Sequence, residues 1–456
     1  MAQPQTQAEP EKRNLISKLY HWFVDGLDRT VFKGVQYTFP KRFVSPLGYL
    51  GVLTGIVFLM LGVTGGLLMI YYQPTLTGCG SLTCAFSSVQ RINDSVPFGW
   101  LLRNIHYTAS NAMVLLAVLH MYYQYFSGRF KIKNEVLWVT GIILGIITGV
   151  EAYTGYDLIL NQRAGLAIEI GSSLANASPL VGTTLRLATF GSGFTDFILR
   201  LYSAHVFILP MIMLILVFIH FPRYLVLDIP IVATVMGGIF VIASIFPVPL
   251  STPYSPSNPV LTIPEWYLTG IYALLRTEFD KFVMGGLMPA LLFLMALVIP
   301  FIDTSKKLNW RDRPFFTALG ITSIAQILVT TAWGFYINPN SSLPTLQRLL
   351  VPPEDYFASM IGITIVCFVM TYAFLHYIKS KERVRKATAP MAPLISRKWV
   401  WIIFLVLILG QVALNGLAAS AILLGLRNMV LFDAGAILIS FGVIVHLYRY
   451  SQNLPF

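Results

Sequence analysis

Residues 99–120 read GWLLRNIHYTASNAMVLLAVLH, and residues 200–220 read RLYSAHVFILPMIMLILVFIH. Each is a largely apolar stretch long enough to cross a bilayer as a helix. Each also carries two histidines, His106 and His120 in the first and His205 and His220 in the second. At 3.6 residues per turn, an interval of fourteen returns to within about 40° of the starting face and one of fifteen to within about 60°. The rise between the paired histidines is about 21–22 Å. Each helix therefore presents two imidazoles on one face, at two depths.

These stretches belong to a series. The chain is 56% hydrophobic and 11% charged, against about 25% charged in a soluble domain. Apolar blocks recur near 47–72, 101–126, 136–160, 197–221, 229–249, 283–302, 315–336, 357–378, 399–424 and 428–448. Lipid leaves open backbone groups without partners, so each block is expected to be a helix. The expectation is an all-α, polytopic membrane protein of about ten transmembrane helices, the first four forming a bundle. Residues 1–40 lack the apolar core and cleavage site of a secretory signal.

An even number of spans places both termini on one side. Lys12, Arg13, Lys18, Lys33, Lys41 and Arg42 precede the first span, Arg129, Lys131 and Lys133 follow the second, and Lys306, Lys307, Arg311 and Arg313 follow the sixth. Lys379, Lys381, Arg383, Arg385, Lys386, Arg397 and Lys398 follow the eighth. All of these loops fall on the terminal side, which is therefore expected to be the cytoplasmic face of the plasma membrane. The net charge of +12 reflects this topology and not a nucleic-acid partner.

The second and fourth spans run in the same direction, so His106 is level with His205 and His120 with His220. A lone intramembrane histidine commonly serves helix–helix hydrogen bonding. Two pairs at near-matching intervals instead suit two bis-histidine haems, His106 and His205 holding the outer iron, His120 and His220 the inner. Full axial ligation suits electron transfer rather than oxygen activation. His21, His376 and His446 fit no such pattern. No Cys-x-x-Cys-His occurs, so covalent attachment by that motif is excluded and b-type haem is expected. Cys79 and Cys84 share an outward loop, where a disulfide is permitted and two thiols are equally allowed. Cys367, inside a span, reads as a small apolar residue.

Gly51 and Gly65 in the first span, and Gly141 and Gly155 in the third, repeat the fourteen-residue interval. Glycine allows the close approach that a wedged macrocycle requires. Arg103 and Arg200, on the outer side of His106 and His205, are candidate propionate partners. Arg129, Lys131 and Arg223 are available on the inner side.

The run Gly99-Trp100-Leu101-Leu102-Arg103-Asn104-Ile105-His106, ending at His120, resembles the second helix of cytochrome b of the quinol–cytochrome c reductases. Residues Arg200 to Pro210, the fifteen-residue histidine interval, Ser127-Gly128-Arg129-Phe130-Lys131 and Trp138-Val139-Thr140-Gly141 resemble its plastoquinol–plastocyanin reductase relative. Pro264-Glu265-Trp266-Tyr267, continued by Tyr272-Ala273-Leu274-Leu275-Arg276 and preceded by Ser257-Asn258-Pro259, is similar to the family's outer quinol-oxidation segment. The resemblance covers roughly residues 35–380. It implies a haem domain over 1–225, a second cytochrome b domain over 226–380 and an extension over 381–456.

The resemblance implies that quinol binds near Glu265, with Tyr267, Tyr272 and Tyr156 as pocket residues. One electron would pass to a separate Rieske iron–sulfur protein, and the other through the two haems to a quinone at an inner site. Glu265 suits proton acceptance on physical grounds as well, since it lies on the outward loop and quinol oxidation releases two protons. Asp228, at the start of the fifth span, is either an inner-site proton donor or a helix cap. A homodimer in a larger complex, with a cytochrome or oxidase subunit as acceptor and lipid around it, follows from the same resemblance.

The chain departs from the family at Ile159 and Leu160, where relatives have Pro-Trp, and at Tyr123, which replaces an arginine. Tyr49 stands where the plastid branch carries a haem-bearing cysteine, so no such extra haem is expected. The last two spans lie outside the family core and are expected to dock a partner subunit or lipid. Two rival readings are a subunit of a terminal quinol-oxidase assembly, and a transporter whose histidines relay protons or bind metal.

Overall fold

The computed structural model describes residues 15–27, 36–38, 46–131, 134–192, 194–221, 224–255, 262–382 and 396–451. Lys12, Arg13, Lys33, Lys41, Arg42, Lys133, Arg223, Arg383, Arg385, Lys386 and Ser257-Asn258-Pro259 lie outside these residues.

The chain begins with a short helix α1 (Leu15–Leu27) and a strand β1 (Gln36–Thr38). The first long helix is α2 (Leu50–Met69), followed by the short α3 (Cys84–Asp94), α4 (Gly99–Ser127) and α5 (Glu135–Asp157). Two surface helices, α6 (Gln162–Asn176) and α7 (Gly182–Phe190), precede the fourth span. That span comprises α8 (Phe194–Ser203), a π-helical turn over Ala204–Ile208, and α9 (Leu209–His220). Strand β2 (Tyr224–Val226) then pairs in parallel with β1.

The second half holds α10 (Ile229–Ile245), α11 (Thr269–Leu275), α12 (Met288–Ile302), α13 (Pro314–Gly334) and α14 (Thr345–Leu349). It ends with α15 (Pro353–Glu382), α16 (Arg397–Leu423) and α17 (Arg427–Ser451).

Eight helices among the described residues are long and apolar enough to cross a membrane. The two remaining expected spans are α4, which is long but carries polar residues, and α10, which is apolar but has only 17 residues. The polytopic all-α fold is as expected. Helices α3, α6 and α7 are not marked in the sequence, because short, half-polar helices lack the sustained apolar run that marks a span. The Cys79–Cys84 pair is a disulfide, placed where α3 begins.

Within the bundle, α2 packs on α4 and α5 on α9. Val57, Ala109, Met113, Met213 and Ile239 meet at its centre. The π turn lies directly ahead of Pro210, and Leu209 N–H bonds to Ala204 O instead of to the carbonyl four residues back. A proline offers no N–H and crowds the preceding turn. Widening that turn takes up one extra residue. The same device recurs over Val283–Leu287, ahead of Pro289.

The last helix is seated on the family core. A Cβ added at Gly435 would lie 2.6 Å from Gly237 O, so the backbones of α17 and α10 touch. Arg449 Nη1 lies 2.8 Å from Asp228 Oδ2, and Asp228 Oδ1 caps α10 by accepting from Ile231 N–H at 3.3 Å. Asp228 is thus a fully buried cap and ion-pair partner. Another buried lock joins Lys131 Nζ to Asp303 at 2.5 Å and Arg313 Nη1 to the same carboxylate at 2.8 Å. Lys131 is therefore committed to Asp303. Asp228 marks one face of the bundle and Glu265 the other.

Gly435→Leu is expected to force α17 off α10, seen as new protease sensitivity after Leu423. Arg449→Ala should leave Asp228 without its ion-pair partner and cost about 3–5 kcal/mol of stability, read as a lower thermal midpoint in detergent.

Candidate functional site

Helices α4 and α8–α9 bring the four histidines together in the expected pairs. The His106 and His205 ring centroids are 6.4 Å apart with planes at 83°, and those of His120 and His220 are 6.2 Å apart at 85°. An iron bound by two axial imidazoles, at about 2 Å to each nitrogen, sets ring centres about 6.2 Å apart. The pairs have the spacing that such a centre needs.

The four glycines lie against the same rings. An added Cβ would meet Cε1 of His120 at 2.9 Å from Gly51, and Cε1 of His106 at 3.0 Å from Gly65. It would meet Cε1 of His220 at 2.8 Å from Gly141, and Cε1 of His205 at 2.4 Å from Gly155. Their spacing alone assigns these glycines to the macrocycle. The structure sets each against the edge of an imidazole, so glycine at these positions gives the ring room to stand.

Thr64, Thr140 and Thr154, each preceding one of these glycines, put Oγ1 at 2.9 Å from His106 Nδ1, 3.2 Å from His220 Nδ1 and 3.3 Å from His205 Nδ1. A partner that accepts from Nδ1–H fixes the tautomer and leaves the Nε2 lone pair available. These threonines carry no chemical signal of their own in the sequence. The repeated Thr-Gly doublet at 64–65, 140–141 and 154–155 was the available signal.

Arg103, buried on α4, donates to Val248 O at 2.9 Å, to Pro249 O at 3.1 Å and to Asn93 Oδ1 at 3.2 Å. Arg200 donates to Leu187 O at 2.7 Å and Ala188 O at 2.6 Å, closing the end of α7. Both guanidiniums brace backbone near the His106/His205 pair. On the Asp228 face Arg129 stacks 5.2 Å over Tyr123, so a cation stands beside the position from which the family's arginine is missing.

Glu265 sits between α4 and α6. Tyr107 Oη donates to its Oε2 at 2.9 Å, and Arg163 Nη1 lies 3.5 Å from its Oε1. Arg163 is about half exposed, so the carboxylate has an aqueous side. Trp266 Nε1 donates to Asn111 Oδ1 at 2.7 Å, and Tyr267 Oη to Ala152 O at 3.4 Å. Burial, then the neighbouring Glu265, raises the Tyr267 pKa, keeping its phenol a neutral donor. The Tyr156 hydroxyl is buried without a hydrogen-bond partner among the described residues.

Tyr272 stacks under Arg276, 4.7 Å from ring centre to guanidinium carbon. Arg276 donates to Gly334 O at 3.0 Å and also to Leu349 O and Tyr336 O, tying α11 to the end of α13. This clamp fixes the segment that bears Glu265. Tyr107, Asn111 and Arg163 were missed because their partners lie more than 100 residues away.

A membrane bundle with two stacked pairs of facing imidazoles is the architecture of a transmembrane electron carrier. The family model "Cytochrome b/b6/petB" matches residues 36–226, and "Cytochrome b(C-terminal)/b6/petD" matches residues 255–353. The chain belongs to the cytochrome b/b6 family, whose members are haem-binding electron-transport subunits of the membrane. Among solved structures it is similar to a chain of a hyperthermophilic respiratory Complex III, at 23% identity and a TM-score of 0.56, covering 80% of this chain and 98% of that one.

Gly155→Leu is expected to push His205 aside and lower haem content. A pyridine haemochrome assay on the purified protein measures this.

Proposed function

We propose that this chain is the di-haem, quinol-oxidising subunit of a protonmotive respiratory complex. The observation that carries this reading is the pair of facing imidazole sets, each at ligating separation and each with a glycine against every ring. His106 with His205 and His120 with His220 would hold the two haems, with Gly51, Gly65, Gly141 and Gly155 making room for the rings. Bound there, the haems would supply a one-electron path between the Glu265 and Asp228 faces.

The remaining chemistry is the chain's own. Quinol enters on the Glu265 face, against Tyr156 and Tyr267. A quinol hydroxyl gives its proton to Glu265, whose carboxylate is held in place by the Tyr107 hydroxyl. Arg163, about half exposed, lies 3.5 Å from Glu265 Oε1 and marks the side from which the proton reaches water. The first electron leaves to a Rieske-type iron–sulfur partner, the second passes to the Asp228 face, and the second quinol proton leaves to water; two such turnovers, with two protons taken up there, reduce one quinone on the Asp228 face. The burial of Asp228 against Arg449 favours a structural role for it there over proton donation.

The decisive experiment is a reduced-minus-oxidised spectrum with haem quantified per chain, for the wild type and for His106→Leu and His120→Leu. The wild type should carry two spectrally or electrochemically distinct haems, and each variant should lose at least one. Unchanged pigment in both variants would reject the proposal. Glu265→Gln should lower quinol oxidation by about 10²-fold with haem content intact.

A further inference from the structure

The last turn of α5 carries a carboxyl group that the proton transfers above do not use. Asp157 is 0% exposed, and neither oxygen of its side chain has a hydrogen-bond partner among the described residues. The neighbouring Tyr156 hydroxyl is buried and likewise unpartnered among those residues. Asp157 interacts electrostatically with Tyr156 and Tyr267, and both phenols also interact with Glu265. The buried acid therefore adjoins the pocket that quinol would occupy.

A third phenol leads away from that pocket. Tyr153 lies one helical turn before Asp157, on the same face of α5, and its hydroxyl interacts with the Asp157 carboxyl. It donates its own hydrogen to Ala167 O of α6 at 3.1 Å. A side chain at Gly171 would collide with this hydroxyl, so α6 leaves room for it. Helix α6 runs at the surface and exposes Glu169, two residues beyond Ala167.

We propose that Asp157 is a proton relay of the quinol site, receiving the second proton of quinol oxidation and passing it through the Tyr153 hydroxyl to water at α6. The proposal rests on the quinol-oxidising reading above. Quinol gives up two electrons and two protons on becoming quinone. Glu265 takes the first proton and Asp157 the second, while the electrons leave separately as already described. A carboxyl group can bind a proton on one oxygen and give one up from the other, and a phenol can donate and accept at its single oxygen. Buried polar groups without protein partners are the setting that holds an ordered water. One such water between Tyr156 and Asp157 would join the pocket to the acid.

Keeping a carboxyl group here is costly, because an unpaired polar group at the end of a membrane span destabilises the fold. Tyr153 already has its own acceptor on α6, so the acid is not needed to hold it. A structural carboxylate is served by a fixed partner, as Asp303 and Asp228 are. A group that must take and release a proton at every turnover is served by having none.

Quinol oxidation by the purified complex, measured with a short-chain quinol in light and in heavy water, tests this. Asp157→Asn keeps the size of the side chain but removes the acid. It should oxidise quinol about 10²-fold more slowly, with a larger solvent isotope effect, full haem content and a thermal midpoint no lower than the wild type. Asp157→Glu, which retains the acid, should keep more of the rate than Asp157→Asn. If Asp157→Asn fails to load haem, Asp157→Val removes the unpaired group altogether and should give the same slow oxidation in a loaded protein. A wild-type rate and isotope effect in either loaded variant overturn the proposal. A rate lost only together with haem or thermal stability also overturns it, since a structural role alone would do that. A wild type that oxidises no quinol overturns the quinol-oxidising reading and this proposal with it.

Discussion

The constraint on which the structure depends is the contact of an imidazole edge with bare backbone, made four times. Each histidine stands against a glycine on a neighbouring helix, at distances where any side chain would intrude. The contact fixes the separation between α2 and α4 and between α5 and α9, and so fixes the width of the cleft between the facing rings. The polar interior of α4 follows from it. That helix is too hydrophilic to look like an ordinary span, yet α2, α5, α10 and α13 pack against it. Polar residues at bilayer depth are tolerated where they face the bundle interior, and here they line the region that gives the protein its chemistry.

Much of this was legible in the chain. Period and hydropathy located the spans, and the near-equal spacing of four histidines and four glycines located the cleft, because both signals repeat along single helices. The roles of individual glycines were legible only in outline, since a sequence does not say whether the space beside a glycine is taken by a cofactor or by its ligand. Tyr107 and Arg163 were illegible for another reason. Their partner comes from a distant element, and no local pattern marks Tyr107 or Arg163 as the neighbour of Glu265. Arg103 and Arg200 were legible as cations at the right height. Their bonds to backbone carbonyls depend on loops whose course the sequence does not disclose.

The C-terminal pair of helices shows how an addition becomes part of a core. From sequence it reads as an appendage with a surface to offer. In the fold, α17 lies glycine to glycine on α10 and supplies the only guanidinium paired with Asp228 among the described ion pairs. A buried carboxylate without its partner is strongly destabilising, so the family core has come to rely on the added helix. Helix α16, by contrast, is held chiefly by α17 and leaves Leu405, Val406, Leu409 and Val412 exposed.

The widened turn at Ala204–Ile208 bears on how such proteins are compared. One helix carries its two histidines fourteen residues apart and the other fifteen, yet the rings meet at both levels, because the π turn absorbs the surplus residue without advancing the helix by a full step. What is held constant between the two helices is angular phase, while the residue count is free to drift. A lineage could gain or lose a residue there, provided that the turn opened or closed with it, and its cofactor geometry would remain as before.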